Sequence, residues 1–422
     1  MYIKSLMVHN FKSIDTVQID FNPMTMIIGA NATGKSNIIN VFRFIEDIMT
    51  DGIENAIALQ GGIQYIANAN LSRGEPIEIQ FTIDLKDEGW IRHIQRQKYA
   101  LEVEEIVCRF VIHPNKRGMG YNIAYDYIKM IYDCNSYDSS ASKDERYAPL
   151  GIEYSTEFER KNRNSSVKII PNISNSEQED DELKRCLHED SAGRYFSFVA
   201  SEDKSELMLY RLSLLLPPYF SENTFIRIFD LDPKELKKPS SMVSTKILDE
   251  NGANLASILQ TILRKKESSK KLTSLLKGFL PFVDNVSVEH NPDKSVSYKI
   301  KECYYNKSFY ANFLSDGTVS ILALILALYF EDHSNIIILE EPERNIHPKL
   351  LANLISSAED VSKEKQVIIT THNPELLKYA NCDDVRMVTR ANCGNTSDDL
   401  TIKTFLENDL GLEDLFVQGL LE

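Results

Sequence analysis

The stretch MTMIIGANATGKSNIINVFRFI, Met24 to Ile45, decides how this chain is read. Met24 to Ile28 is an apolar run closed by Gly29, the pattern of a buried strand. From Ser36 the spacing changes, and Ile38, Ile39, Val41, Phe42 and Ile45 share one face of a helix. Between strand and helix lies GANATGKS, Gly29 to Ser36, which fits G-x-x-x-x-G-K-[ST] in the context that motif requires. Its glycines let backbone N–H groups curl around phosphate oxygens, and the helix N-terminus adds positive potential. Lys35 is expected to reach the β- and γ-phosphates of a nucleotide, and the Ser36 hydroxyl to ligate Mg²⁺. The candidate nucleotide-binding positions here are Gly29, Asn31, Gly34, Lys35, Ser36 and Asn37.

Three further motifs lie near the other end. IIILEEPERNIHP, Ile336 to Pro348, is an apolar strand that ends in two carboxylates. Glu340 is placed to hold Mg²⁺ through water, and Glu341 to polarise an attacking water as general base. A solvated turn would also carry two acids, but not beside a phosphate loop. LSDGT, Leu314 to Thr318, opens an apolar helix; Ser315 and Gly317 there can form a second anion-binding nest. Alone it would read as an N-cap. It gains specificity because 21 residues, one helix, separate Thr318 from Glu340. IITTHNPELL places His372 straight after another buried strand, where it can sense a γ-phosphate; most isolated histidines in such loops only bond backbone.

The order of these motifs resembles that of ABC-type ATPases: Walker A, LSxGx signature, Walker B with a following Glu, a D-loop-like segment Glu343 to His347, and a switch His. The RecF/SMC-like branch, including the ATPase part of OLD-family nucleases, is the nearest likeness. NFKSI near the N-terminus, LEEPERNIHP, TTHNPELL, and DLDPKELKKPS followed by LDENGANLASIL (230–259) carry it. The likeness is strong at both ends of the chain and weak in the middle. It implies a head-like ATPase in which two chains sandwich two ATPs, with Ser315 and Gly317 of one facing the Walker A of the other. ATP and Mg²⁺ are the implied cofactors, and a second copy of the chain the first implied partner. Where many ABC proteins carry the D-loop Asp this chain has His347, whose role is left open. The Q-loop Gln is not placed; Gln60 and Gln80 are candidates.

The expected fold class is α/β: a P-loop ABC-type head with a mixed N-terminal sheet, a parallel core sheet and a large inserted α+β lobe. The ATPase domain is expected over 1–85 and 300–422 and the inserted lobe over 86–299. Strands are read at Tyr2–Val8, Val17–Phe21, Ile77–Leu85 and Val103–Ile112, and a Ser/Asp-rich loop at Cys134–Arg146. Asn172–Glu206 holds ten acidic and four basic residues and reads as a solvated or mobile insertion. Leu207–Leu216, Asn254–Arg264, Leu272–Leu280, Val319–Phe330 and Lys349–Val361 read as helices, and Asn335–Leu339 and Gln366–Thr370 as strands.

Composition narrows the function. The net charge of −15 argues against a surface that coats nucleic acid, though not against a local basic groove. The six cysteines include no C-x-x-C pair, so neither a disulfide framework nor a zinc hook is expected. No apolar run reaches membrane-spanning length and no leader is evident, which points to the cytoplasm and no membrane partner. The 278 residues between Ser36 and Ser315 are too many for a compact transporter ATPase. Only 50 residues follow His372, too few for the remaining sheet strand and a Toprim nuclease. No N-K-x-D suggests GTP. Asp144 with Glu159–Lys161 loosely fits a metal-nuclease spacing, a frequent accident in a chain with 26% charged residues. Lys265, Lys266, Lys270 and Lys271 form a basic cluster more in keeping with a solvated face than a phosphate contact.

Three roles follow from the likeness. The first is a sensor or regulatory ATPase of a bacterial antiphage defence system controlling a separately encoded nuclease or toxin effector. The others are a RecF-like DNA repair ATPase acting on DNA itself, and a regulatory ATPase without a nucleic-acid partner.

Overall fold

The computed structural model describes residues 1–30, 33–68, 74–86, 91–94, 99–115, 120–138, 140, 146–161, 164–172, 205–215, 225–242, 247–390 and 396–401. The chain divides into two compact units, one made of 1–21, 40–224 and 390–399, the other of 22–39, 225–389 and 400–422.

The first unit is built on antiparallel strands. Tyr2–Phe11 lies between Ile14–Asp20 and Ile77–Asp84, with Val8 opposite Val17 on one side and Ile79 on the other. Ile77–Asp84 pairs with Tyr99–Pro114, and a meander of long strands follows at Tyr121–Tyr137, Tyr147–Lys161 and Asn164–Asn172. Burial alternates along Tyr121–Tyr137, as expected for strands with one covered face. The loop expected at Cys134–Arg146 begins later than the sequence suggests. The strand runs on to Tyr137, because Cys134 and Asn135 are buried and pair with Leu101 and Ala100. The helix Lys35–Asp51 is assigned to this unit from Asn40 onward. Phe44 packs on Phe11 and Phe42 on Phe21, with ring centroids 5.8 and 5.5 Å apart.

A buried ion pair ties the helix Met208–Leu215 to the meander. Asp126 accepts hydrogen bonds from Arg160 Nη2 (2.7 Å) and from the Met208 N–H (2.8 Å). Burial pushes the Asp126 carboxyl up to about 6, against the pull of Arg160. Most of the acidic insertion lies outside the described residues. Its last member, Glu206, does not behave as a solvated charge, since its carboxylate accepts from the Ile53 and Leu207 N–H groups. Asp144 lies outside the described residues.

The second unit carries the parallel sheet. Its strands run in the order Ile226–Phe229, Ile336–Glu340, Gln366–Thr371, Met24–Ile28 and Val385–Arg390, all parallel. Ile336 to Leu339 and Met24 to Ile28 are buried throughout. That is why they read as continuous apolar runs: a parallel sheet is covered on both faces. The helix Asp316–Tyr329 is buried at every residue from Thr318 to Leu328, as an all-round apolar helix must be. A smaller antiparallel sheet centres on Ser295–Glu302, flanked by Val283–His290, Ser240–Ser241 and Ser308–Tyr310. Val296, Tyr298 and Ile300 point inward, and the helices Leu255–Arg264 and Lys266–Phe279 share their hydrophobic core. Among the described residues no helix is long and apolar enough to cross a membrane.

Candidate active site

The ends of three adjacent parallel strands bring the motifs together. Met24–Ile28 delivers the Walker A loop, Ile336–Glu340 the carboxylates and Gln366–Thr371 the histidine, as expected at the carboxyl edge of such a sheet. Gly34 sits at φ 108°, a left-handed conformation that glycine adopts without strain. Lys35 opens the helix, and its Nζ folds back to donate to the carbonyls of Gly29 (2.6 Å) and Ala30 (2.8 Å). Burial lowers the ammonium's pKa, while Glu341, Glu343 and Glu340 pull it back up. The Gly29 N–H is tied to the Thr371 carbonyl, and the Asn37 N–H to that of Gly34. Asn31 lies outside the described residues.

Ser36 Oγ donates to Glu340 Oε1 at 2.7 Å, so the two expected metal-side residues already touch. A hydroxyl and one carboxylate, completed by phosphate oxygens and water, suit a hard cation such as Mg²⁺. No cluster of three His, Cys, Asp or Glu residues exists among the described residues. This donor set does not require one.

Glu341 has the most constrained position. Its backbone sits at φ 44°, rare for a residue with a side chain. Both carboxylate oxygens are engaged: Oε1 with His372 Nδ1 and Oε2 with Arg344 Nε, each at 2.8 Å. Burial alone would raise this carboxyl, but the bonds from Arg344 and His372 outweigh it, and its pKa is lowered. His372 thus lies against the candidate base rather than free in its loop. Sequence reasoning did not assign a role to three neighbours. Arg344 reaches Glu341 and also Asp230 Oδ1 at 2.8 Å. Glu343 is buried, accepts from the Thr371 hydroxyl, and is raised in pKa by burial. Thr371 Oγ1 in turn accepts from the Asn373 N–H, which fixes the turn carrying His372. Arg344 and Glu343 were visible inside the D-loop-like segment and Asp230 in DLDPKELKKPS, but their pairing depends on tertiary structure. A small cleft here is lined by Leu231, Ser320, Glu340, Glu341 and Arg344.

The signature lies at the start of Asp316–Tyr329. Ser315 is its N-cap, accepting from the Thr318 N–H at 3.1 Å, and is exposed. Gly317 lies against the D-loop-like turn: a Cβ there would be 2.7 Å from the Asn345 carbonyl oxygen. His347 caps the following turn, its Nδ1 accepting from the Lys349 N–H at 3.2 Å. Gln60 accepts from Lys12 Nζ, and Gln80 sits mid-strand opposite Met7 and Arg109; both belong to the first unit.

A phosphate-loop motif, a hydroxyl–carboxylate pair and a Glu–His pair meet at one sheet edge, the arrangement that a nucleotide-hydrolysing P-loop site would use. Comparison with known proteins gives the class. The family model described as AAA ATPase domain matches residues 1–377, and the chain belongs to that family. It is an ATP-hydrolysing enzyme of that family, and its fold is that of an SMC head. The fold is seen in a crystal structure of the SMC head bound to the C-winged helix domain of ScpA. That match has TM-score 0.52 and 15% identity, over 96% of this chain and 100% of that one. An SMC head with an extended coiled coil bound to the C-terminal domain of ScpA, derived from Pyrococcus furiosus, matches at TM-score 0.47 and 15% identity, covering 96% and 98%. The SMC head domain from Thermotoga maritima matches at 0.41 and 16%, covering 94% and 98%. No curated protein matches the chain significantly.

Proposed function

We propose that the chain is a Mg²⁺-dependent ATPase that works as a pair, two copies closing head-to-tail around two ATPs. The exposed signature supports this reading. Among the described residues, Ser315 Oγ bonds only within its own helix start, to Thr318, which leaves its nest open to a nucleotide held by another copy. In the proposed site the Walker A loop and Lys35 bind the phosphates, and Ser36 with Glu340 would hold Mg²⁺. Bound there, the cation would neutralise charge on the β- and γ-phosphate oxygens. Glu341 orients the water and accepts its proton, and His372 holds the Glu341 carboxylate from the other side. Ser315→Arg tests the composite site: it should leave nucleotide binding by one chain intact and abolish both ATP-dependent pairing and hydrolysis. Normal pairing and turnover would end that reading.

We assign the hydrolysis cycle to the control of a separate protein, as the sensor or regulatory ATPase of an antiphage defence system acting in the cytoplasm on a nuclease or toxin effector. The sequence likeness to the OLD-type branch supports this, and the matched SMC head is itself bound to a separate protein. The division into an ATPase domain over 1–85 and 300–422 and a lobe over 86–299 belongs to the same proposal. Co-purification with the products of neighbouring genes tests it. A second reading, direct action on DNA as a RecF-like repair ATPase, is favoured by the exposed side chains of Lys265, Lys266 and Lys270 at one helix start. Salt-sensitive binding of duplex DNA by the purified chain, lost on neutralising these lysines, would select it.

A further inference from the structure

Arg344 holds two carboxylates from opposite ends of its guanidinium. Nε donates to Glu341 Oε2 and Nη1 to Asp230 Oδ1, both at 2.8 Å. Asp230 follows directly on the strand Ile226–Phe229, which pairs with the Walker B strand in parallel register, Phe229 beside Leu339. Its own N–H is fixed to the Glu250 carbonyl. The anchor therefore belongs to the sheet edge and not to a free loop. Arg344 itself is locked by its N–H to the Glu341 carbonyl, one turn on from a residue at φ 44°. A planar guanidinium that bridges two fixed points restricts its partner more than a lysine would, since its donors diverge at set angles.

We propose that Arg344 is a positioning residue for hydrolysis: anchored by Asp230, it sets the orientation of the Glu341 carboxylate toward the water that attacks ATP. This rests on the reading of Glu341 as the base. Each carboxylate oxygen has two lone-pair directions, so the bonds from Arg344 and His372 leave one direction on each oxygen for water. With both lateral bonds in place the carboxylate cannot rotate. Without Arg344 it pivots about the His372 contact, and the productive geometry becomes one of several. Binding of ATP through the Walker A loop does not involve this pivot, so the loss falls on kcat and not on KM. At the other end of the same segment, Lys237 Nζ pairs with Asp316 of the signature at 2.5 Å. The chain from Asp230 to Lys237 thus touches both the Walker B turn and the signature helix.

The test is steady-state ATP hydrolysis by the full chain, with kcat and KM determined separately for Arg344→Ala, Arg344→Lys, Asp230→Asn, the double variant Arg344→Ala with Asp230→Asn, and Glu341→Gln. Arg344→Ala should lower kcat about 10- to 100-fold, the scale of a mispositioned catalytic group, with KM for ATP within about twofold. Arg344→Lys keeps the charge but reaches only one partner, and should fall between. Asp230→Asn should lower kcat less, and the double variant should be no worse than Arg344→Ala, because both act through one contact. If Glu341→Gln is inactive while Arg344→Ala turns over like wild type, or faster, the positioning role is wrong and the base assignment stands. If Glu341→Gln is itself active, the base assignment fails. A rise in KM with unchanged kcat would make Arg344 a binding residue and overturn the inference. Should Arg344→Ala not fold, Arg344→Lys and Asp230→Asn decide: wild-type kcat in both refutes it.

Discussion

Gly317→Ala adds one methyl group at the point where the signature helix meets the D-loop-like turn. A Cβ built there lies 2.7 Å from the Asn345 carbonyl oxygen, whereas real Cβ atoms essentially never come within 3.0 Å of a neighbour. The contact must open by at least about 0.3 Å, and by about 0.7 Å to reach ordinary packing distance. The obstacle is backbone, so no rotamer change relieves it. The turn that must yield is already constrained: Asn345 sits at φ 64° and Glu341 at φ 44°. Replacing a helical glycine by alanine stabilises by up to about 1 kcal/mol, and overpacking costs about 1–3 kcal/mol. The net expectation is a loss of roughly 0–2 kcal/mol in stability. The functional cost should be larger, because the shift displaces Ser315 and the turn bearing Glu341 together; a reduction of about 10- to 100-fold in kcat is the scale for such a displacement. Gly278→Ala is the matched control. Nothing lies within 4 Å of a Cβ built at Gly278, which also belongs to a helix, so that variant should gain stability and keep its ATPase rate. Thermal melting and phosphate release on both variants make the assay. If Gly317→Ala melts higher than wild type and hydrolyses normally, as the control should, the close approach to Asn345 is not what requires glycine.

Lys35→Ala should abolish hydrolysis and weaken nucleotide binding, read by titration calorimetry with ATP, because the buried ammonium is the main protein charge at the phosphate loop. Ser36→Ala and Glu340→Gln should each raise the Mg²⁺ concentration needed for half-maximal ATPase, since they remove one member of a touching pair; an unchanged requirement in both would separate the pair from metal binding. Arg160→Met should destabilise the first unit by about 3–5 kcal/mol in urea unfolding, the scale of a buried charge left without its partner. The Asp126 carboxyl is already raised above its unfolded value of 3.8, so ionising it opposes folding as pH rises through about 6, and this penalty vanishes below 3.8. Losing Arg160 raises it further, so the destabilisation should shrink as the pH is lowered from 8 to 5.

The parallel core was legible because covered strands leave no ambiguity. Ile336–Leu339, Met24–Ile28 and Gln366–Thr371 are buried strands with apolar centres, bounded by Gly, acidic or His residues, and the helix after Leu314 is buried on every side. The meander was harder. Tyr121–Tyr137 and Tyr147–Lys161 mix Tyr, Lys, Asp and Glu with Ile, and only cross-strand pairing shows which residues are covered. The hairpin Val283–Glu302 was missed for the same reason: its buried Val296, Tyr298 and Ile300 alternate with Ser and Lys. Within the site, the motif residues were readable from local spacing. Arg344 with Asp230 was not, since the two partners are 114 positions apart and an ion pair leaves no periodic trace.

The central claim is that hydrolysis at Glu341 opens a pair of chains closed around ATP. The most direct measurement is the solution mass of Glu341→Gln by light scattering with and without Mg²⁺-ATP, alongside phosphate release. An amide keeps the size of the carboxylate but cannot take the proton, so hydrolysis should fall about 10²-fold or more, while the phosphate loop and the Ser36–Glu340 pair are untouched. Glu341→Gln should show twice the chain mass, or a multiple of that pair, with ATP and one nucleotide retained per chain, under conditions where wild type returns to its nucleotide-free mass after turnover. A variant that hydrolyses ATP like wild type, or binds ATP tightly yet keeps the mass it has without nucleotide, would contradict it.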